Sequence, residues 1–211
     1  MLLRLRVSLP DQPGGLGRVA KVLGTLGADI LQVTVLEREA GRAVDDFTVS
    51  WPGAASTSEV RDRFSAVPGV RVEGVWATRE VPGSAPDYDL LMHVAAEPSR
   101  GLATLVDALP MLCGAEWSVA YCDGAVRHAS LAAPDYIDLP EPPPRAATLD
   151  TEKLRLMLLP MVTHGLHVLV ARADGPVFHR AELERAVRIV DVVSTLAARA
   201  RTPVIDPQNS G

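Results

Sequence analysis

Aromatic residues are scarce: three Phe, three Trp and three Tyr, together 4% of 211 residues. A core with so few rings must be filled mostly by Leu, Val and Ala. Cysteine is scarcer still. Cys113 and Cys122 fit no metal-ligand spacing and are expected as reduced, mostly buried thiols. Lysine occurs only at Lys21 and Lys153 while arginine is frequent, a bias associated with GC-rich bacterial genomes. Positive charge is in deficit overall, with a net charge of −5. A nucleic-acid surface needs a basic footprint, so no nucleic-acid partner is expected. No apolar run reaches the roughly 18 residues of a membrane span. The start, Met1 to Arg6, interleaves Arg4 and Arg6 with leucines and lacks the apolar block of a signal peptide. A cytoplasmic protein without a membrane partner is the expectation.

What remains is ordinary globular composition, 47% hydrophobic and 22% charged, enough for one or two domains with real cores. Leu3, Leu5, Val7 and Leu9 alternate with Arg4, Arg6 and Ser8, so residues 2–9 read as a strand with one buried face. Pro10 ends it. Asp11-Gln12-Pro13-Gly14-Gly15-Leu16-Gly17 then opens a helix. Asp11 is expected to cap that helix and Pro13 to sit in its first turn. Gly14, Gly15 and Gly17 permit a tight turn and close ligand approach. Leu16, Val19, Ala20, Leu23 and Leu26 share a helical face, and Gly27 stops the helix. Residues 28–51 read as a hairpin turning at Ala40-Gly41-Arg42. A second helix capped by Ser56, Thr57 or Ser58 runs to Ala66, with Val60 and Phe64 inward. A fourth strand over Val70–Trp76 is expected to bulge at Gly74.

The order β-α-β-β-α-β is the split βαβ, ferredoxin-like arrangement. With Asp-x-Pro-Gly-Gly-Leu in the first βα loop, residues 1–78 resemble the ACT domain, a family of small regulatory modules, many of which bind amino acids at dimer interfaces. The resemblance implies that the loop holds a ligand carboxylate on backbone N–H groups. It also implies that Asp29, at the family's polar position before Ile30, faces the ligand's amino group. The implied ligand-binding residues are Asp11, Pro13, Gly14, Gly15, Leu16, Gly17, Asp29 and Ile30.

Residues 79–88 are rich in Pro and Gly and read as a linker. Beyond it, Asp89–Ala95 is expected as a strand, and a helix from Ser99 should end or kink at Pro110. Strands follow over Glu116–Tyr121 and Ala125–Leu131 around Asp123-Gly124, then loop over 132–147. Leu154–Met161 and Leu166–Arg172 are strands around Thr163-His164-Gly165, and a long helix spans Arg180–Arg199. This succession, with Gly175-Pro176-Val177-Phe178-His179-Arg180 entering the last helix, resembles a GAF-like α/β domain with an antiparallel sheet over 89–201. Residues 202–211 are expected as a disordered tail. The fold class is therefore α+β.

No catalytic set stands out. His164 and His167 have metal-pair spacing only on a helix, and Gly165 argues for a turn. His128 and His179 read as isolated surface residues. Asp45-Asp46 lies in a strand, so the two carboxylates face opposite sides, as a solvated residue and a polar contact. Gly14, Gly15 and Gly17 form no dinucleotide or P-loop fingerprint. The expectation is a regulatory protein and not an enzyme, with no cofactor and no metal, binding a small molecule such as an amino acid. The broad apolar arc of the last helix suggests a homodimer. A ligand-free dimerisation or protein-interaction scaffold is the alternative.

Overall fold

The computed structural model describes residues 1–53, 57–79 and 83–199. The expected cap at Ser56, part of the expected linker and the expected tail lie outside the described residues. The chain divides into two compact units, Met1–Ser84 with Ala173–Ala181, and Ala85–Arg172 with the chain from Glu182. Among the described residues no helix is long and apolar enough to cross a membrane.

In the first unit, β1 (Leu2–Pro10) turns Leu3, Leu5, Val7 and Leu9 into the core. Next come α1 (Gly15–Thr25), β2 (Asp29–Glu39), β3 (Arg42–Ser50), α2 (Thr57–Ser65) and β4 (Arg71–Ala77). The β2–β3 turn puts Ala40 and Gly41 at φ 49° and 75°, the left-handed pair of a tight hairpin. All pairings are antiparallel, in the order β2-β3-β1-β4. Phe47 and Val49 of β3, Val19 and Leu23 of α1, and Val60 and Phe64 of α2 complete the core. Leu16 and Ala20 are exposed, contrary to expectation. Val19 and Leu23 are the fully buried i, i+4 pair, Val22 and Leu26 pack beside them partly buried, and Leu16 and Ala20 fall outside this stripe. The β4 bulge falls at Glu73: Arg6 pairs with Gly74 and Val7 with Val72.

Segment 173–181 covers the other face of this sheet, which no sequence pattern announces. Arg6 donates to both oxygens of Asp46, at 2.8 and 2.9 Å, and to the carbonyl of Val177 at 3.1 Å. Its guanidinium carbon lies 5.7 Å from the Trp76 ring. His179 is no isolated surface residue. Its Nε2 lies 2.9 Å from Glu37, and this hydrogen bond holds the Glu37 carboxyl below its ordinary value. At Gly74 a Cβ would lie 2.6 Å from Pro176 Cδ and 2.9 Å from its Cγ. Gly74→Ala should therefore push the segment off the sheet, with a loss of about 1–3 kcal/mol in urea denaturation. A neutral result would show that Pro176 is not held there.

The second unit holds α3 (Pro86–Ala96), α4 (Gly101–Cys113), β5 (Trp117–Cys122), β6 (Ala125–Ala129), β7 (Ala147–Asp150), β8 (Arg155–Met161), β9 (Leu166–Arg172) and, from Glu182 onward, α5 (Arg180–Arg199). Its antiparallel sheet has the order β6-β5-β9-β8-β7. The expected strand over 89–95 is instead helix α3. Pro86 occupies its first turn, Asp87 and Asp89 favour its positive end, and Leu90 and Val94 are buried one turn apart. Pro110 does not end α4, which runs on to Cys113. Proline leaves the Val106 carbonyl without its helical donor, and the Ser118 hydroxyl on β5 donates to it instead. His128 also has a partner, lying 3.1 Å from Asp107. Cys113 is buried, and burial pushes its thiol up to about 12, whereas Cys122 is only half-buried. In α5, Ile189, Val190, Val193 and Ala197 are all buried, so most of the apolar arc is covered within the chain.

Candidate functional site

β1 delivers the chain to the loop at Pro10, which pairs with Arg42. The Asp11 N–H donates to the Gly41 carbonyl at 2.9 Å, and the Gly15 N–H to Gln12 at 3.0 Å. Gly14 is the N-cap of α1 at φ 84°, a conformation strained for any residue with a Cβ. Gly15 is buried. A Cβ there would lie 3.0 Å from Leu9 Cδ1 and 3.1 Å from the Pro10 carbonyl oxygen, so the helix packs against β1 only because the side chain is absent.

Two expectations are corrected here. Pro13 precedes the helix, which begins at Gly15. Asp11 does not cap it, because Arg38 near the end of β2 takes its carboxylate, with Nη2 at 2.8 Å from Oδ1 and Nε at 3.0 Å from Oδ2. A two-toothed charged pair outcompetes a single bond to a backbone N–H. In consequence α1 starts with no side-chain cap and no acidic residue in its first turn. The opening N–H groups of a helix have no intrahelical partner. Gly15 spends its own on Gln12, which leaves Leu16 and Gly17 to offer theirs.

These N–H groups border a cleft of about 430 Å³. Asp11, Pro13, Gly14, Gly15, Leu16 and Gly17 all line it, so the structure brings six of the expected residues together. Leu9, Val35, Arg38, Ala43 and Asp45 also line it. Asp29 and Ile30 do not line it. Asp29 pairs with Ser50 and Glu39 with Arg42, so β2 carries Asp29 to the far end of the sheet, about 30 Å away along an extended strand. Ile30 packs against the core.

Asp45 is the residue that sequence reasoning passed over. It is not solvated: only 2% of its surface is exposed, and its Oδ1 is buried with no hydrogen-bond partner among the described residues. Burial pushes its carboxyl above the ordinary carboxylate value, the charges of Asp11 and Asp46 push the same way, and Arg38 opposes them. An acid raised in the folded state destabilises the fold at any pH above that raised value. A sequence signal existed, because Asp45 alternates in register with the apolar residues Ala43, Phe47 and Val49, an inward-facing row. Its neighbour Asp46 is equally buried but paired with Arg6.

The second unit has a cleft of its own, about 310 Å³, beside Tyr121, Pro140 and His167. The Tyr121 hydroxyl donates to the Pro140 carbonyl at 3.4 Å, and burial raises its pKa. Nothing there is left unpartnered in the way of Asp45.

No protein-family model matches the chain. No curated protein matches it either. Among solved structures, a formyltetrahydrofolate deformylase from Pseudomonas putida KT2440 is similar with a TM-score of 0.31 and 16% identity. The match covers 46% of this chain and spans 38% of the deformylase. An unknown protein from Galdieria sulphuraria is similar with a TM-score of 0.33 and 13% identity, over 92% of this chain and 91% of that one.

Proposed function

We propose that the chain is a regulatory protein whose ACT-like first unit binds an amino acid in the cleft beside α1. One observation carries this: a single cleft holds both an uncapped helix start and a buried carboxylate without a partner. The ligand carboxylate sits on the N–H groups of Leu16 and Gly17, where the helix dipole favours an anion. The role is one of binding and not of catalysis. A signal follows if the ligand prefers one arrangement of the chain over another.

A homodimer belongs to the same proposal. β2 is an edge strand with Leu31, Val33 and Val35 exposed at 40%, 40% and 51%. An edge of that length and character is a template for pairing with a second chain. The same observation favours the second reading, a scaffold that dimerises without any ligand. A thermal-shift screen of the twenty amino acids separates the two. A ligand at a hundred times its dissociation constant stabilises by about 2.7 kcal/mol, which moves Tm by several degrees. If no amino acid at millimolar concentration moves Tm while sedimentation shows a dimer, the scaffold reading replaces the sensor.

A further inference from the structure

We infer that Asp45 is the cation-accepting residue of the α1 cleft and restricts its ligand to zwitterions, which carry a primary ammonium as well as a carboxylate. The inference rests on the amino-acid reading above and adds the group that selects against the hydroxy acid or keto acid of the same skeleton.

The charges around the site lead there. Two carboxylates line the cleft, Asp11 and Asp45, and Asp46 is the next residue of β3. Asp46 is taken by Arg6 at 2.8 Å, with Arg4 Nε at 3.2 Å. Asp11 is taken by Arg38 at 2.8 Å. Asp45 alone keeps a buried oxygen with no hydrogen-bond partner among the described residues, and it lines the cleft. An unpartnered buried carboxylate weakens a fold, and an aliphatic side chain would suit its row between Ala43 and Phe47 better. A ligand cation is the partner that the site lacks.

The positions suit a small zwitterion. Asp45 pairs with Val7 and Ala43 with Leu9, so Asp45 sits three residues, about 10 Å, along the sheet from Pro10, where β1 gives way to the loop. One wall of the cleft presents helix N–H groups, and the other presents a carboxylate. Leu9, Leu16, Val35 and Ala43 make part of the lining apolar, and charges act more strongly beside such a wall than in open water. A hydroxy acid satisfies the first pole and leaves Asp45 unpaired beside a second anion. Sites with a buried polar group that only the correct ligand satisfies discriminate strongly.

The test is calorimetric titration of the full chain with the L-amino acid that gives the largest thermal shift, and with its 2-hydroxy acid. The wild type should bind the amino acid about a hundredfold or more tightly over the hydroxy acid. Asp45→Asn should erase that preference while its ligand-free Tm equals or exceeds that of the wild type. Should the wild type bind both compounds equally, the cleft is still an acid site and Asp45 selects nothing, which overturns the inference alone. Should neither class bind, the amino-acid reading and the inference fall together. The wild-type comparison needs no variant, so a poorly folding Asp45→Asn protein does not shield the inference.

Discussion

Asp46→Asn should lower the unfolding free energy of the first unit by about 3 kcal/mol, the low end of what breaking a buried ion pair costs. The Asp46 and Arg6 side chains are each 1% exposed, and Arg4 is 12% exposed. The carboxylate thus neutralises two arginines held away from water. An asparagine of the same shape keeps the packing and removes the charge. Arg6 retains the Val177 carbonyl and the Trp76 face, which keeps the loss at the low end. Replacing Arg6 and Asp46 together by Met and Leu should recover part of the loss, because less buried charge is left uncompensated. Urea denaturation followed by circular dichroism reads both. A loss below about 1 kcal/mol for Asp46→Asn would mean that water reaches this face.

Asp45, one residue earlier, has the opposite sign. Neutralising it relieves a carboxylate that burial and two neighbouring charges already disfavour. Adjacent carboxylates in one strand thus differ because the strand presents them to different partners. β3 is buried on both faces, with Asp45 and Phe47 on one and Asp46 and Thr48 on the other, so both faces are covered. The helices supply one cover and segment 173–181 supplies the other.

That arrangement marks what the sequence could and could not disclose. The period-2 rows of β1 and β3, and the Pro and Gly residues between elements, were enough to read the element order of the first unit. Six loop residues of the cleft were legible from the Asp11–Gly17 motif. The capture of Asp11 by Arg38 was not, since it depends on β2 running its full length and returning beside the loop. Nor was the burial of Asp46, because its cover comes from a segment beyond residue 172. In the second unit, the short and largely apolar stretch Asp89–Ala95 suits a strand or a buried helix equally, and Pro86 at the start of α3 was the deciding signal. The short strand β7 begins where a proline-rich loop was expected to end, and it is fixed by pairing Leu149 with Leu156.

Arg172→Met should cost the second unit about 3 kcal/mol or more, by removing one side of a buried charged cluster. The Arg172 side chain is 1% exposed at the end of β9. It donates to the Gly114 carbonyl at 2.9 Å, to the Cys113 carbonyl, and to Glu182 at 2.8 Å. Those carbonyls belong to the end of α4, where the helix dipole is negative and the last carbonyls lack helical donors. Arg185 serves the same end through the Leu112 carbonyl at 3.2 Å. A helix with Pro110 three residues before its final residue has little intrinsic support for its last turn, so imported donors hold that turn in place. Methionine fills comparable volume and supplies no donor. Hydrogen exchange should therefore accelerate first in the last turn of α4, beyond what global destabilisation produces. Glu182→Gln should cost less, because Arg172 keeps both carbonyls. If the two variants cost the same and α4 exchanges no faster, the ion pair alone matters and the carbonyl contacts hold nothing.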